Sequence, residues 1–469
     1  MDIQDLAGKN ICILGYGREG RAMAEALEKY AKGCKITIAD RNSELLVPRS
    51  LGEGGRITNY ELRKGEKYLD TLDEFDVIIK SPGIPPKELP TNHYPLTTPT
   101  QIFFDSIKDS KSVVIGVTGS KGKSTTASLI QHILQSSGKK SFLVGNIGEP
   151  AISHIADAVL NTFFVHEMSS YQLMDLTSSP QVAVITSFFP EHLDYHRNLE
   201  NYFEAKKRIT RFQTKDDVVF FNANSEGAKE IAEESKGRKI PFSTKDSPVT
   251  LEEIQLKGEH NLGNIAAAFS VAMHLGIDRK TAIEAIKSFK GLPHRLESLG
   301  IHHGIEWVND SISTTPQSAI AALDALGERV STLILGGQDR GYDFMPLVER
   351  LKTSSVKTVI LMRDSGATIG EIIQKEKLNV QCFDAKNMEE AVDFAKRRDA
   401  PRGRLPELTR ESVETRDSRV STDAPIVLLS PSAPSYPHFK NFEDRGEQFG
   451  VYIKTAPRKG APAEERHSS

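Results

Sequence analysis

The stretch VVIGVTGSKGKSTT, residues 113–126, constrains this 469-residue chain more than any other. A β-branched run (Val113, Val114, Ile115) enters a glycine-rich turn. The turn passes through Lys123, Ser124 and Thr125 into an apolar helical pattern, ASLIQHILQ. Strand, glycine loop and helix in that order build a phosphate cradle. Glycines let backbone N–H groups close on phosphate oxygens, and the helix N-terminus adds partial positive charge. Lys123 is placed for the β- and γ-phosphates, and the hydroxyl of Ser124 or Thr125 for Mg²⁺. The usual loop has a glycine five residues before its Gly-Lys pair. Here Val117 holds that position, Gly116 lies one residue earlier, and Gly119 falls inside the loop.

A second glycine loop stands near the N-terminus. The strand pattern NICIL leads into Gly15-Tyr16-Gly17-Arg18-Glu19-Gly20, then a helical pattern, then KITIAD ending in Asp40. This is the G-x-G-x-x-G fingerprint in its expected context, with an acid about 20 residues on. A further strand pattern, FDVIIKS, ends at Ser81-Pro82-Gly83.

The length calls for two to four domains, and the patterns fall into three α/β blocks. Residues 1–99 read as a Rossmann-like nucleotide fold. Residues 100–291 read as a central phosphate-loop domain, where strands and helices alternate as in a mostly parallel sheet. Residues 292–469 carry STLILGG, VKTVILM and IVLLSP with helices between, a third Rossmann-like α/β block. Residues 396–424 are charged, contain prolines and lack apolar periodicity; they read as a disordered insertion, and 455–469 as a disordered tail. Net charge is −3, which gives no global field for nucleic acid or anionic membrane. Cys12, Cys34 and Cys382 form no metal spacing and suit a reducing compartment. The polar, acidic N-terminus is not a signal peptide, and no apolar run reaches the roughly 20 residues that span a bilayer. A cytoplasmic protein, not inserted in a membrane, is expected.

Several residues carry candidate chemistry. Glu167 closes the strand pattern of FFVHEMSSYQL, where a carboxylate suits Mg²⁺. His192 and Asp194 follow the next strand pattern, in SFFPEHLDYH. Lys206 lies in the helical YFEAKKRI, where a solvated lysine is the ordinary outcome. Asn261 and Asn264 share a helix face in HNLGNIAAAF, placed either to read an adenine edge or to cap the helix.

As an ordered set, the motifs resemble the Mur ligases, above all the members that add glutamate to UDP-N-acetylmuramoyl-L-alanine. They are GVTGSKGKSTT, HEMSSYQL, EHLDYH, YFEAKKRI, HNLGNIAAA, GLPHRLE, NDSISTTP, GGQDRGYDF and SPSAPSYPHFKNFEDRGEQF. The resemblance runs from about residue 10 to 452, apart from 396–424. It implies a monomeric, ATP-dependent amide ligase of peptidoglycan precursor synthesis. The substrate carboxylate would be phosphorylated by ATP, and the acyl phosphate attacked by D-glutamate. Carried over by position, Gly119, Ser120, Lys121, Gly122, Lys123, Ser124 and Thr125 would hold the ATP phosphates. Asn261 and Asn264 would hold adenine, and Arg295 and Asp310 the nucleotide from the third block. Ser124, Thr125, Glu167, His192 and Lys206, if carbamylated by CO₂, would be Mg²⁺ ligands, with two ions expected. Lys123, Lys206, His192 and Glu167 would form the catalytic set. The first glycine loop would take UDP-substrate rather than a dinucleotide, through Gly15, Tyr16, Gly17, Asp40, Arg41, Ser81, Pro82 and Gly83, with Asn146 on the muramoyl part. Thr314, Arg340, Ser435, Tyr436 and Phe442 would hold glutamate.

The chain departs from the family pattern at Ser187, Glu191, Ile312, Thr315, Arg340, Pro434 and Tyr436. Those in the third block surround the incoming amino acid, so ligation of L-glutamate is the alternative. Arg340 can grip a carboxylate through two parallel hydrogen bonds, which keeps the acceptor acidic. Three rival readings are a nicotinamide-dependent oxidoreductase, a non-enzymatic NTP switch and a folate polyglutamate ligase. The first leaves the phosphate loop unexplained. The second predicts slow ATP hydrolysis indifferent to glutamate. The third lacks a counterpart for GYGREG.

Overall fold

A computed structural model of the chain describes residues 1–42, 50–51, 57–58, 60–85, 89, 95–189, 193–256, 258–399 and 424–455. His192, Glu191, most of the 396–424 segment and the tail beyond 455 lie outside these residues. Two compact units are present, Met1–Phe289 and Lys290–Ser469.

The first unit holds both glycine loops, each on its own parallel sheet. One sheet has five strands in the order Glu61–Lys64, Lys35–Asp40, Asn10–Leu14, Val77–Lys80, Leu96–Thr97. The other has six, in the order Arg238–Phe242, Val218–Asn222, Val182–Ile185, Val113–Thr118, Phe163–Glu167, Ser141–Gly145. In each, the strand that feeds a glycine loop is central, and the chain leaves it toward both edges. Ligands of open parallel sheets bind at such a reversal, beyond the C-terminal strand ends. The strand cores read VAVI, FFVHE and VVIGVT because both faces are covered.

One apolar cluster runs through both sheets, from Ile11, Ile13 and Ile38 of the first to Val114, Phe164, Ala183 and Val219 of the second. The helix Pro99–Ile107 supplies the mortar. Phe103 and Phe104 are buried, and the Phe103 ring meets Phe164 edge-on at 5.3 Å.

The second unit has six strands in the order Glu297–His302, Ile305–Asn309, Ile426–Leu429, Val330–Gly337, Thr358–Asp364, Gln381–Ala385. All pair in parallel except the Glu297–His302 edge, which returns as an antiparallel hairpin that the sequence reading did not anticipate. The helix Met388–Asp399 corrects the expected start of the insertion. Residues 396–399 continue this helix, and buried Lys396 donates to Tyr452 O and Thr455 O at 2.7 and 2.6 Å.

Candidate active site

The phosphate loop is shaped by close backbone approach. Gly119 has φ +151° and Gly122 φ +86°. A Cβ on Gly119 would collide with Thr186 Oγ1, and one on Gly122 with Asn264 Oδ1. Gly122 precedes the helix Lys123–Ser136 with no side-chain cap, which leaves the first-turn N–H groups for a ligand. Lys123 Nζ reaches back to Gly119 O and Ser120 O at 2.9 and 2.8 Å, placing a cation at the loop.

The neighbouring strand braces this loop from below. Thr186 Oγ1 donates to Lys121 O at 2.6 Å, and Lys121 N donates to Ser187 Oγ at 2.9 Å. Ser120 N donates to Ser187 O at 3.0 Å, and the Ser120 hydroxyl lies 3.0 Å from Tyr202 OH. Thr118, Thr186, Ser187 and Tyr202 were not singled out as loop supports from sequence, since their roles depend on which strand lies beside the loop.

Lys206 lies under the same loop. The helix Leu199–Arg211 starts at Asn198, whose side chain accepts from Asn201 N. Its buried stripe is Tyr202, Ala205, Lys206, Ile209 and Thr210, so Lys206 occupies a core-facing position. Its Nζ donates to Gly119 O at 2.9 Å and Thr118 Oγ1 at 3.3 Å. The solvated-lysine outcome is thereby excluded.

Asn261 and Asn264 are both buried on the helix His260–His274. Asn264 Nδ2 donates to Asn261 Oδ1 at 2.8 Å, and Thr126 Oγ1 donates to Asn264 Oδ1 at 3.3 Å. The pair is thus tied to the phosphate-loop helix.

Glu167 ends its strand 1% exposed. Asn146 Nδ2 donates to its Oε1 at 3.0 Å, and Asn146 N to its backbone O at 3.0 Å. Its Oε2 is buried with no hydrogen-bond partner. A buried carboxylate oxygen left in this condition is costly unless a ligand completes it. Among the described residues no group of three or more His, Cys, Asp or Glu side chains converges on one point. Mg²⁺ does not need such a cage, since it binds through one or two carboxylates, waters and substrate phosphates. Glu167 and the loop hydroxyls therefore fit that ion.

On the first sheet, Gly15 has φ +89°, and its carbonyl accepts from Ser81 Oγ at 2.7 Å. A Cβ on Gly20 would collide with Gly15 O, so the third glycine lets the helix Arg18–Tyr30 close on the strand. Asp40, expected to contact the UDP-substrate, accepts from Tyr16 N at 2.7 Å and Asn42 N at 2.8 Å and so also shapes the loop. Gly17 caps the helix with no side-chain bond, and Arg41 lies over the Tyr68 ring. Pro82 O accepts from Tyr195 OH at 2.7 Å. Gly83 has open space where a Cβ would stand.

In the second unit, three loops meet at the C-terminal strand ends. Buried Arg445 joins them: Nη2 donates to Ser311 O at 2.7 Å and Nη1 to Ala433 O at 2.9 Å. Burial lowers the Arg445 guanidinium to a pKa of about 9. A Cβ on Gly337 would meet both Pro434 O and this guanidinium. Asp310 is buried, and its Oδ2 accepts from Ser430 Oγ at 2.8 Å and from Ser313 Oγ. Burial pushes its carboxyl up to about 6, against the pull of those hydroxyls, Leu296 N and the Arg295 charge. Ser435 is buried, Thr314 and Phe442 are half-buried, and Arg340 and Tyr436 are exposed. Ser311 Oγ donates to Phe442 O at 2.8 Å, which ties the start of the helix Phe442–Lys454 to the first loop.

Comparison with known proteins decides the family. Residues 117–252 match the Mur ligase middle domain, and residues 294–405 match the Mur ligase glutamate ligase domain. A UDP-N-acetylmuramoyl-L-alanine–L-glutamate ligase of Salinispora tropica is 34% identical over 97% of this chain and 99% of its own. The chain belongs to the Mur ligase family. A UDP-N-acetylmuramoylalanine–D-glutamate ligase of Symbiobacterium thermophilum is 32% identical over 94% of this Mur ligase and 97% of its own chain. The MurF ligase of Thermotoga maritima, solved in complex with ADP, covers 97% of both chains with a TM-score of 0.54 at 15% identity, a likeness of fold.

Within this Mur ligase, the first unit gathers the phosphate loop, Lys206, Asn261 and Asn264 around one strand end, with the Glu167–Asn146 pair on the adjacent strand. Thr314, Ser435, Phe442, Arg295 and Asp310 belong to the second unit.

Proposed function

We propose that this Mur ligase joins glutamate to UDP-N-acetylmuramoyl-L-alanine at the expense of ATP, acting as a cytoplasmic monomer of three functional modules. The modules are residues 1–99 for the UDP-substrate, 100–291 for ATP and 292–469 for the amino acid. The observation that carries the reading is the full-length likeness to glutamate-adding ligases. It is supported by a braced phosphate loop beside a buried carboxylate with one unpartnered oxygen. Among the described residues no helix is long and apolar enough to cross a membrane.

A carboxylate is a poor acyl donor, so the alanyl carboxylate oxygen attacks the γ-phosphorus and ADP departs. The glutamate amine then attacks the acyl carbon. The tetrahedral intermediate loses a proton and expels phosphate, leaving an amide. Catalysis of such transfers is mainly positioning and charge neutralisation. The loop of residues 119–125 holds the phosphates through the Lys123 ammonium and those backbone N–H groups that do not already donate to Ser187, and Asn261 and Asn264 face the adenine. Glu167, with Ser124, Thr125 and His192, would hold Mg²⁺, which supplies neutralisation of phosphate charge when bound. In the carbamate proposed at Lys206, Nζ keeps one N–H, enough for the bond to Gly119 O. The new carboxylate oxygens would add anionic ligands. Arg295 and Asp310 are assigned to the nucleotide. Thr314, Arg340, Ser435, Tyr436 and Phe442 receive glutamate.

The family motifs point to D-glutamate. L-glutamate is the second reading, favoured by the Salinispora relative and by the departures at Ile312, Thr315 and Tyr436. Phosphate release from ATP, with Mg²⁺ and UDP-N-acetylmuramoyl-L-alanine, is to be followed with D-glutamate, L-glutamate, aspartate and lysine in parallel. Release with one glutamate isomer alone assigns the stereochemistry, and none with either isomer overturns the proposal.

A further inference from the structure

Two adjacent side chains of the first glycine loop leave their own sheet. Arg18 Nη2 donates to Gly145 O at 2.6 Å, and Gln172 Nε2 donates to Glu19 Oε1 at 3.2 Å. Both contacts flank Glu167. The Gly145 carbonyl belongs to the same peptide group as Asn146 N–H, which donates to Glu167 O at 3.0 Å. Asn146 then holds Glu167 Oε1 with its side chain. Gln172 lies on the other flank. Its Oε1 accepts from Ser169 N and Ser169 Oγ at 3.0 and 3.1 Å, two residues beyond Glu167.

We propose that Arg18, assisted by Glu19, is a positioning residue that couples occupancy of the first glycine loop to the setting of Glu167. A peptide group is planar and stiff, so a pull on its carbonyl moves its N–H as one body. Gly145 has φ +102°, and a Cβ there would collide with Glu167 O and the His166 ring. The peptide and Glu167 are therefore packed too closely for one to shift without the other. Arg18 is the first residue of the helix Arg18–Tyr30, whose N-terminus faces the proposed diphosphate site, and its side chain is exposed. A guanidinium has five N–H donors in a fixed fork. One goes to Gly145 O, and the fork has further donors to offer a diphosphate oxygen. The substrate diphosphate thus steadies Arg18, which steadies the Gly145–Asn146 peptide. Asn146 then fixes Glu167 with its second oxygen open for the ion. Glu19 opposes loss of register from the other flank. Burial raises its carboxyl above the ordinary range while the Arg18 charge and the Gln172 amide hold it down.

The inference rests on the ligase reading, since it takes the first loop as the UDP-substrate site. It is tested by calorimetry of ADP–Mn²⁺ binding to the full chain, alone and with saturating UDP-N-acetylmuramoyl-L-alanine. In the unaltered protein the UDP-substrate tightens ADP–Mn²⁺ about tenfold, within the usual span of coupling between sites. In Arg18→Met the tightening falls to less than about twofold, while ADP–Mn²⁺ alone binds as before; both follow from the same coupling. Arg18→Lys, which keeps charge but not the fork, retains an intermediate coupling. Glu19→Gln weakens it too, and serves if Arg18→Met does not fold. Full coupling in Arg18→Met, or none in the unaltered protein, overturns the inference. Failure of the unaltered protein to bind the UDP-substrate at all instead overturns the ligase reading, and the inference with it.

Discussion

Lys206 and Lys207 are neighbours in sequence with opposite fates. Lys206 falls on the buried stripe of its helix and reaches the phosphate loop. Lys207 falls one position round and lies 3.3 to 3.6 Å from Glu204, Glu230 and Glu234. Sequence alone made a solvated lysine the ordinary outcome at 206; the burial follows from its place on the stripe Tyr202, Ala205, Lys206 and Ile209, because residues three and four apart share a helix face. Lys206→Ala is expected to lower phosphate release by at least about a hundredfold, more than 2.7 kcal/mol in the barrier, and short carboxylic acids to restore part of it. Turnover near that of the unaltered protein would remove the carbamate role. Ser187→Ala tests the support beneath the loop. It deletes the hydroxyl that binds Lys121 N and Lys121 O. A loss of about 1 to 3 kcal/mol is expected from the stranded groups, read as weaker ADP binding together with a lower melting temperature. Sequence marked Ser187 only as a departure from the family pattern. Its partner lies 66 residues away, so its use depends on strand order and not on local spacing.

The helix Phe442–Lys454 shows what an element contributes beyond its apolar face. Phe449 and Ile453 bury it, and Asn441 caps it by accepting from Asp444 N. Arg445, from the first turn, organises the loops beneath which it lies. Replacing it with Met leaves Ser311 O and Ala433 O without these donors. The second unit should lose on the order of 3 kcal/mol, measurable by urea unfolding, and glutamate affinity should fall with it. Charge in the same loops gives the unit a pH signature. Burial raises the folded Asp310 carboxyl to about 6, above the ordinary aspartate value of 3.8. Its contribution to stability is therefore fully present below about pH 4 and is lost as pH rises through 6. The stability difference between the unaltered protein and Asp310→Asn should decline by about 3 kcal/mol across that window. A flat difference would show that the carboxyl is not titrating there.

Across the whole molecule, the central strands and both glycine loops were legible because strands such as Asn10–Leu14 and Val113–Thr118 are apolar runs that enter a glycine turn. Polar edge strands such as Glu61–Lys64 and Arg238–Phe242 were not. The antiparallel edge Glu297–His302 was not, since its burial alternates weakly and it carries polar residues. Nor was the true end of the helix Met388–Asp399. Its last turn is charged like the segment after it, yet Lys396 is held by Tyr452 and Thr455 carbonyls. A deletion of 396–424 would cut these bonds. Excision of 401–422 with a short linker should leave phosphate release within about twofold of the intact chain, below 0.5 kcal/mol in the barrier, whereas removal from 396 onward should lower stability as well. The two sheets of the first unit share one apolar cluster, although each also packs a cluster of its own. That cohesion has a practical side. A compound bound at the UDP loop and one bound at the phosphate loop would stabilise the same cooperative transition. A thermal-shift screen will register hits at either pocket as the same melting event, and only competition with labelled ADP will tell an inhibitor's address.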